Sequence, residues 1–406
     1  MSVPGRAASP SPAAGLRARL AAEVPAARED PSAVRIVRAP GRVNLIGEHT
    51  DYNLGFVLPA AIDLEIRIAF VPAADRRVEL FSLEAGGWAG FDLDAIGPRR
   101  GSWVDYVAGT AQALQVAGVP VRGLRGVVSA SLPISAGLSS SAALELAAAL
   151  ALTDPPGGGL GRMALAQLAQ RAENDYVGVR CGLMDQFAVT FGQPDRALLL
   201  DCRSLDWRSI TLPATTHGLV VLDSGSPRRL EASGYNVRRE QCERAVAILA
   251  TTHPEVRSLR DADPPMLEAA RERLGEDVYR RARHVVSENA RTLACAAALE
   301  AGDLAAVGRL WAASHASLRD DYEVSSAELD ALVEIALATP GVVAARMTGA
   351  GFGGCVVALV ALEAVTDLRA RVLDAYPSRM GLTPRIFPVR AVAGAGWLDG
   401  GQAERA

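Results

Sequence analysis

The chain has 406 residues, half of them hydrophobic, so it can bury a large core and is predicted to form two domains. Its formal net charge of −4 excludes a general nucleic-acid binder, whose phosphate contacts would need a basic face. The N-terminus lacks the apolar segment of a signal peptide, and no apolar run is long enough to span a membrane. We therefore expect a cytoplasmic protein without nucleic-acid or membrane partners.

The chain contains no lysine, so all 42 of its Lys and Arg residues are arginine. P-loop, protein-kinase and Schiff-base chemistry each depend on a lysine, and these mechanisms are excluded. The five cysteines are odd in number and widely spaced, without a C-x-x-C pair. This pattern favours a reducing compartment over a zinc site or a disulfide framework.

Residues 1–31 are rich in Ala, Pro, Ser and Arg, which predicts a flexible leader with one short helix. Short strands are predicted next, at Val34–Arg38, Arg42–Leu45 and Phe56–Leu58. Between the last two lies a polar cluster, Gly47-Glu48-His49-Thr50-Asp51-Tyr52-Asn53.

This cluster contains more chemistry than a turn requires. A turn uses Gly, Asp and Asn for its conformation, but it does not need a Glu, a His and an Asp together. Donors and acceptors that converge from one loop suit a polyhydroxy ligand. A metal site is the alternative, but His49 has no second histidine at ligand spacing, so we favour sugar binding.

Strands at Ile66–Pro72, Val78–Ser82 and Gly126–Ala130, with a helix at Trp103–Ala117, lead to the stretch LPISAGLSSSAALELAAAL at Leu132–Leu150. Its serines crowd the predicted N-terminus of an alanine- and leucine-rich helix. The first N–H groups of a helix lack internal partners and attract anions. One serine could simply cap the helix. Three serines behind a glycine turn exceed what capping needs, which favours a phosphate site.

A helix at Ala164–Tyr176 carries Glu173 near its end, and the stretch CGLMDQF at Cys181–Phe187 follows. In that stretch Asp185 is a single acid among small and apolar neighbours. A buried aspartate must be paired or used in function. The alternative is that Asp185 caps a helix, and the residues alone leave both interpretations open.

The first domain is predicted at residues 32–206, the second at 207–399, and a tail at 400–406. The second domain contains TGAGFGGC at Thr348–Cys355, a formal G-x-G-x-x-G. A Rossmann fingerprint must lead into a helix, whereas the following residues are predicted to form a buried strand. The glycines are therefore expected to link two strands and bring the backbone close to a ligand, such as the same nucleotide.

Three separated blocks resemble the galactokinase family of the GHMP small-molecule kinases. They are GRVNLIGEHTDYN (Gly41–Asn53), PISAGLSSSAA (Pro133–Ala143) and MTGAGFGGC (Met347–Cys355), the first specific to galactokinases and the others shared by the wider family. The resemblance implies a two-domain α/β (α+β) GHMP-kinase fold with ATP and sugar sites in the interdomain cleft. It also implies γ-phosphoryl transfer from ATP to the anomeric hydroxyl of galactose, with Mg²⁺, by a protein that we expect to be a monomer.

The resemblance assigns roles residue by residue. Asp185 matches the catalytic aspartate and Arg42 the arginine beside it, while Ser141 and Glu173 match the Mg²⁺ positions. The implied sugar-binding positions are Glu48, His49, Thr50, Asp51, Gly182 and Tyr235. The implied nucleotide contacts are Ser82, Ser135, Ala136, Gly137, Leu138, Ser139, Ser140 and Ser141.

Two positions depart from the family pattern. In Ser224–Leu230 many relatives carry a histidine two residues before the leucine that matches Leu230, whereas this chain has Arg228 there. Ser135 stands where glycine is frequent.

Two other functions compete with a galactokinase. One is a kinase for another small alcohol, such as mevalonate or homoserine, and the other is a non-catalytic sensor of sugar and ATP.

Overall fold

The computed structural model describes residues 12–133, 137–226 and 231–398. Within these ranges the protein is α/β, with three sheets and helices packed against them. The strands are β1 (Arg35–Asn44), β2 (Phe56–Val57), β3 (Pro59–Pro72), β4 (Arg77–Ser82), β5 (Gly87–Asp92), β6 (Leu124–Ala130), β7 (Arg196–Asp201), β8 (Trp207–Thr211), β9 (His217–Asp223), β10 (Val342–Thr348), β11 (Cys355–Ala361), β12 (Arg385–Val389) and β13 (Gly396–Trp397).

The helices surround these sheets. They are α1 (Pro12–Glu23), α2 (Pro25–Glu29), α3 (Val104–Val116), α4 (Ser140–Leu152), α5 (Arg162–Arg171), α6 (Met184–Phe191), α7 (Glu231–Leu249), α8 (Pro264–Ala269), α9 (Arg271–Leu274), α10 (Glu276–Glu300), α11 (Leu304–Asp320), α12 (Ala327–Leu337) and α13 (Val365–Met380). No helix formed by the described residues is both long and apolar enough to cross a membrane.

The first domain is built on a six-stranded sheet in the order β13-β1-β3-β6-β4-β5. Its long strand β1 replaces the two short strands predicted at Val34–Arg38 and Arg42–Leu45, and its pairing with β3 shifts register between Pro40 and Gly41. A Cβ on Gly41 would lie only 2.6 Å from the carbonyl oxygen of Leu138. Glycine therefore lets the segment before α4 approach β1 closely.

The second domain is built on a four-stranded sheet in the order β10-β11-β9-β12. Alternate residues of a strand point to opposite faces, and both faces of this sheet are apolar. On β9, Val220 and Leu222 pack in the core of the second domain, while Leu219 and Val221 belong to the core that it shares with the first domain. A continuous core therefore joins the two domains.

The prediction of a flexible leader is wrong for the part of it that the structure describes. From Pro12 onward the leader forms α1 and α2, and the apolar side chains of these helices pack on the outer face of the first sheet. The buried partners are Leu16, Leu20, Val24 and Ala27 against Ile36, Ala69, Val71 and Val127. Compositional bias towards alanine and proline concealed four well-spaced apolar residues. Residues 1–11 lie outside the described ranges, as do residues 400–406 of the predicted tail.

Both predicted limits of the second domain are also corrected. Strand β8, placed after the predicted boundary at 206, pairs with β7 in a three-stranded sheet with β2. At the other end, β13 returns to the first domain and pairs with β1. A boundary drawn on a linear sequence cannot show a terminal strand that completes a distant sheet.

Candidate active site

A cavity of about 420 Å³ lies between the two domains. Side chains of both domains line it, including Arg42 from β1 and Tyr235 from α7. Of the residues that the sequence predicted for the site, those lining the cavity are Arg42, Glu48, His49, Asp51, Ser82, Gly137, Ser139, Ser140, Ser141, Glu173, Gly182, Asp185 and Tyr235. Ser135 and Ala136, predicted to contact the nucleotide, lie outside the described residues, as do Arg228 and Arg229.

Helix α4 begins at this cavity with its N-terminus uncapped by any described side chain. Ser139 precedes it with φ of 60°, a left-handed conformation; its hydroxyl donates to Asp185 Oδ2 at 2.6 Å, and its oxygen accepts no N–H of the helix. The capping interpretation of Ser139 is therefore wrong. The first N–H groups of α4, with Ser140 and Ser141 beside them, remain available to an anion.

Asp185 lies in the first turn of α6, and Leu183 occupies the cap position, so the interpretation of Asp185 as an N-cap is also wrong. Arg42 binds its carboxylate through two nitrogens, with Nε donating to Oδ1 at 2.8 Å and Nη2 to Oδ2 at 2.9 Å. The remaining Nη1 donates to the Gly137 carbonyl at 2.6 Å. This bidentate pair is planar and directional, so the Asp185 carboxylate is fixed relative to α4.

Glu173 reaches the same cavity from a π-helical turn, Ala172–Val177, that continues α5 and replaces the end of the predicted helix. Its carboxylate accepts hydrogen bonds from Gln186 Nε2 at 2.7 Å and from the Ser141 hydroxyl. Among the described residues no cation pairs with Glu173. Burial, together with the charge of Asp185, raises the pKa of Glu173 above its ordinary value.

The predicted sugar loop, residues 47–53, presents its two acids differently. Glu48 is fully buried and forms an ion pair with Arg346 at 2.6 Å, while its Oε1 accepts from the Gly349 N–H at 2.9 Å. Burial raises the pKa of Glu48 to about 7, although Arg346 opposes the shift. The carboxylate is therefore held by β10 and by the glycine turn that follows it.

Asp51 has no such partner. Its carboxylate accepts the Tyr52 N–H at 2.9 Å and the Met184 N–H, and no cation of the described residues forms an ion pair with it. Burial and the nearby Asp185 raise the pKa of Asp51 to about 6. A Cβ at residue 182 would lie 2.1 Å from Asp51 Oδ2, so Gly182 is required to leave room for this carboxylate.

His49 and Thr50 are held by protein groups. His49 Nδ1 lies 2.9 Å from the Tyr52 hydroxyl and Nε2 lies 3.2 Å from the Ala350 carbonyl, and burial lowers the pKa of His49 to about 3. Thr50 does not line the cavity, because its hydroxyl is engaged by the carbonyls of Gly47 and Phe56. Its prediction as a substrate contact is therefore corrected to a role in shaping the loop.

Leu138 is likewise directed into the core, so only its backbone could serve the predicted nucleotide contact. Its carbonyl already accepts the Arg42 N–H at 3.1 Å. Another part of the cavity is apolar and was missed by sequence reasoning. It is lined by Ile66, Trp103, Tyr106, Val128, Leu132 and Leu144. A tryptophan and a tyrosine one turn apart at the start of α3 are the signal that could have indicated a site for an aromatic ligand.

Curated relatives decide the family. The chain is 47% identical over 361 residues to the galactokinase of Roseiflexus sp. (strain RS-1), covering 89% of this chain and 92% of that one. It is also 47% identical over 363 residues to the galactokinase of Chloroflexus aurantiacus, with the same coverage. The chain belongs to the galactokinase family.

Family profiles agree with this membership. The galactokinase galactose-binding signature matches residues 27–72, the GHMP kinase N-terminal domain residues 105–193, and the GHMP kinase C-terminal domain residues 295–378. The GHMP-kinase fold predicted from the sequence is confirmed.

Solved structures show the same fold. The crystal structure of Lactococcus lactis galactokinase complexed with galactose superposes with a TM-score of 0.87 and 38% identity, covering 93% of this chain and 99% of that one. Mevalonate kinase from Methanococcus jannaschii, at 20% identity and a TM-score of 0.63, shares the fold.

Proposed function

We propose that this member of the galactokinase family transfers the γ-phosphoryl group of ATP to the anomeric hydroxyl of galactose, giving galactose 1-phosphate and ADP. One observation carries the proposal. One cavity brings the Arg42–Asp185 pair within hydrogen-bond reach of Ser139 at the start of α4, and Asp51, which forms no ion pair with any described residue, lines the same cavity. Asp185 therefore lies close both to Asp51, the proposed acceptor for sugar hydroxyls, and to the proposed phosphate site at the start of α4.

The proposed chemistry follows from these contacts. Phosphoryl transfer through a loose transition state depends on positioning and charge stabilisation more than on a strong base. Asp185 would orient the attacking hydroxyl and accept its proton late in the transfer. Arg42 would hold Asp185 in place and offset negative charge on the transferring group, and the α4 N–H groups would bind phosphate oxygens.

The apolar part of the cavity suits the base of the nucleotide. Trp103 and Tyr106 offer aromatic surface there, and Ser82 lies nearby with its hydroxyl accepting the Ala85 N–H at 3.1 Å. A purine buries its flat faces well against such side chains. This division into an apolar part and a polar part supports ATP as the phosphoryl donor.

The residues also fit Mg²⁺. Glu173 is a buried carboxylate whose described partners are uncharged, and Ser141 adds a second oxygen ligand next to it. Mg²⁺ needs only one or two protein oxygens because it keeps several waters and binds phosphate oxygens as well. When bound, the ion would neutralise charge on the nucleotide phosphates.

We also propose that the protein is a cytoplasmic monomer. Its five free thiols support a reducing environment.

The test is ADP release with galactose, glucose, mevalonate and homoserine as acceptors. We expect galactose to be at least about 10² better than glucose in kcat/KM, since an unpaired buried acceptor penalises the wrong epimer. Similar rates on both sugars would contradict the assignment of galactose, and a preference for a non-sugar alcohol would indicate a different kinase. Binding of ATP and sugar without ADP release would indicate a sensor.

A further inference from the structure

A chain of hydrogen bonds runs from α7 to the glycine-rich turn and passes through the predicted sugar loop. Cys242 Sγ lies 3.2 Å from the Tyr322 hydroxyl, which lies 2.7 Å from the Tyr52 hydroxyl. Tyr52 in turn lies 2.9 Å from His49 Nδ1, and His49 Nε2 lies 3.2 Å from the Ala350 carbonyl. Four side chains therefore connect three separate parts of the second domain to the wall of the cavity.

The direction of every hydrogen bond in this chain is determined. A carbonyl oxygen can only accept, so His49 Nε2 must carry a proton. Burial lowers the pKa of His49 and keeps the imidazole neutral, so Nδ1 must be the acceptor. Tyr52 therefore donates to His49, which leaves Tyr322 to donate to Tyr52. Cys242 S–H then donates to Tyr322. Because each hydroxyl donates one proton and accepts another, the loss of the Tyr322 hydroxyl removes both the donor to Tyr52 and the acceptor for Cys242.

The backbone around Tyr322 is fixed by hydrogen bonds from arginine side chains. It lies in the segment 321–324 between α11 and α12, where Arg238 Nε donates to the Tyr322 carbonyl at 2.7 Å and Arg281 Nη1 donates to the Asp321 carbonyl. The same segment accepts the Phe352 N–H on the Val324 carbonyl at 2.7 Å. It is thus attached to the sugar loop on one side and to the glycine-rich turn on the other.

His49 is the member of the chain that faces the ligand cavity, and its ring lies 5.7 Å from that of Tyr235. Tyr322 does not line the cavity and is completely buried, so it cannot touch a sugar. A hydroxyl in this position can influence the ligand only through the side chains between them.

We propose that Tyr322 is a positioning residue of the sugar site, which orients His49 through the Tyr52 hydroxyl. The inference rests on the proposed function for the identity of the sugar. It adds a residue of the second domain, remote from the ligand, to the determinants of galactose affinity. No hydrogen bond of the Tyr322 hydroxyl leads to the proposed ATP site, so loss of this hydroxyl should leave ATP binding unchanged.

The test is Tyr322→Phe, which keeps the ring and removes only the hydroxyl. Loss of one net hydrogen bond corresponds to about a fivefold change, so the KM for galactose should rise about fivefold while the KM for ATP stays within twofold. Tyr52→Phe should raise the KM for galactose at least as much. In the Tyr52→Phe background, Tyr322→Phe should add nothing, since its contact is already lost.

The matched control is Tyr279→Phe. Tyr279 is also a buried tyrosine of the second domain, but its hydroxyl donates to Glu268 Oε2 at 2.7 Å, outside the cavity. Tyr279→Phe should leave the KM values for galactose and for ATP unchanged. Thermal unfolding of each variant checks that it is folded. If Tyr322→Phe is unstable, Tyr52→Phe removes the same Tyr52–Tyr322 hydrogen bond from its other end, at a residue that is only half-buried.

Three results would overturn the inference: an unchanged KM for galactose in either single variant, equal increases in the KM values for galactose and ATP, or additive effects in the double variant. Failure of the proposed function is recognised separately, because the parent protein would then not phosphorylate galactose. In that case ¹⁵N NMR of labelled histidine still decides whether Nε2 of His49 carries the proton and whether Tyr52→Phe changes the Nδ1 shift. An Nδ1-protonated His49 would contradict the chain as described.

Discussion

Two aspartates line the same cavity, and they differ in how the protein compensates their charge. Asp185 is bound by both Arg42 nitrogens that face it, whereas among the described residues Asp51 accepts hydrogen bonds only from backbone N–H groups. A carboxylate that the protein already pairs is fixed in position and suited to act on one atom. A buried carboxylate without a cation gains from a ligand that supplies hydroxyl donors.

The same distinction separates two other acids. Glu48 is paired with Arg346, and Glu173 has only uncharged partners among the described residues. By this criterion Glu48 stabilises the loop, and Glu173 is available to a cation. The predictions below test whether pairing by the protein distinguishes the residues that fix geometry from those that bind ligands.

Asp185→Asn should have the largest effect. We expect turnover to fall by about 10² to 10⁴, the usual contribution of a positioned acid or base, while the fold and galactose binding persist. Asp201→Asn is the control, since Asp201 also pairs with an arginine, Arg260 at 3.0 Å, but does not line the cavity. Turnover within a few-fold of the parent would remove Asp185 from the chemistry, and a collapse in Tm would indicate a structural role.

Asp51→Ala should weaken galactose binding by on the order of 10², because a buried acceptor of sugar hydroxyls is lost. ATP binding alone should change little. Isothermal titration with each ligand measures both, and Asp75→Ala removes an exposed carboxylate paired with Arg125 as a control. An equal loss of affinity for both ligands would show that Asp51 shapes the whole cavity.

Asp51 also makes stability depend on pH. Because its pKa is about 6 in the folded protein and near 3.8 when unfolded, the folded state binds more protons between these values. The stabilisation is therefore complete below about pH 4 and is lost as the pH rises through 6, by on the order of 2–3 kcal/mol. Denaturant unfolding of parent and Asp51→Asn should show a difference that shifts by this amount, and a shift of opposite sign would contradict the unpaired state of Asp51.

The smallest effect is expected at the proposed metal ligands. Glu173→Gln and Ser141→Ala should each raise the Mg²⁺ concentration for half-maximal activity by on the order of tenfold, since Mg²⁺ prefers anionic and hydroxyl oxygens. The rate at saturating Mg²⁺ should recover much of its parent value. A magnesium titration that superposes on that of the parent would exclude both residues as ligands.

Much of the site could be predicted because its residues lie in short contiguous blocks. Ser139 and Gly137 act through the local geometry of a loop entering a helix, and Glu48, His49 and Asp51 share one turn. Roles that depend on distant partners could not be predicted. The sequence does not show that Glu48 faces Arg346, nearly 300 residues away, or that Thr50 bonds its own loop.

The fold shows the same limit. Strand structure on both sides of the polar loop could be predicted because the apolar runs are local, although the two strands predicted before the loop form the single strand β1. The return of β13 to β1 and the packing of α1 on the first sheet are long-range contacts between segments that are unremarkable in composition. Tyr322 belongs with these, since nothing in its neighbouring residues indicates that its hydroxyl reaches Tyr52.

The central claim is that the cavity directs a phosphoryl group from ATP to one particular hydroxyl of galactose. Phosphorus NMR of the product formed from galactose and ATP tests it most directly. The account predicts a single phosphomonoester on the anomeric carbon, formed in step with ADP and nearly absent with Asp185→Asn. A phosphate on any other hydroxyl, or free phosphate without a sugar ester, would contradict it.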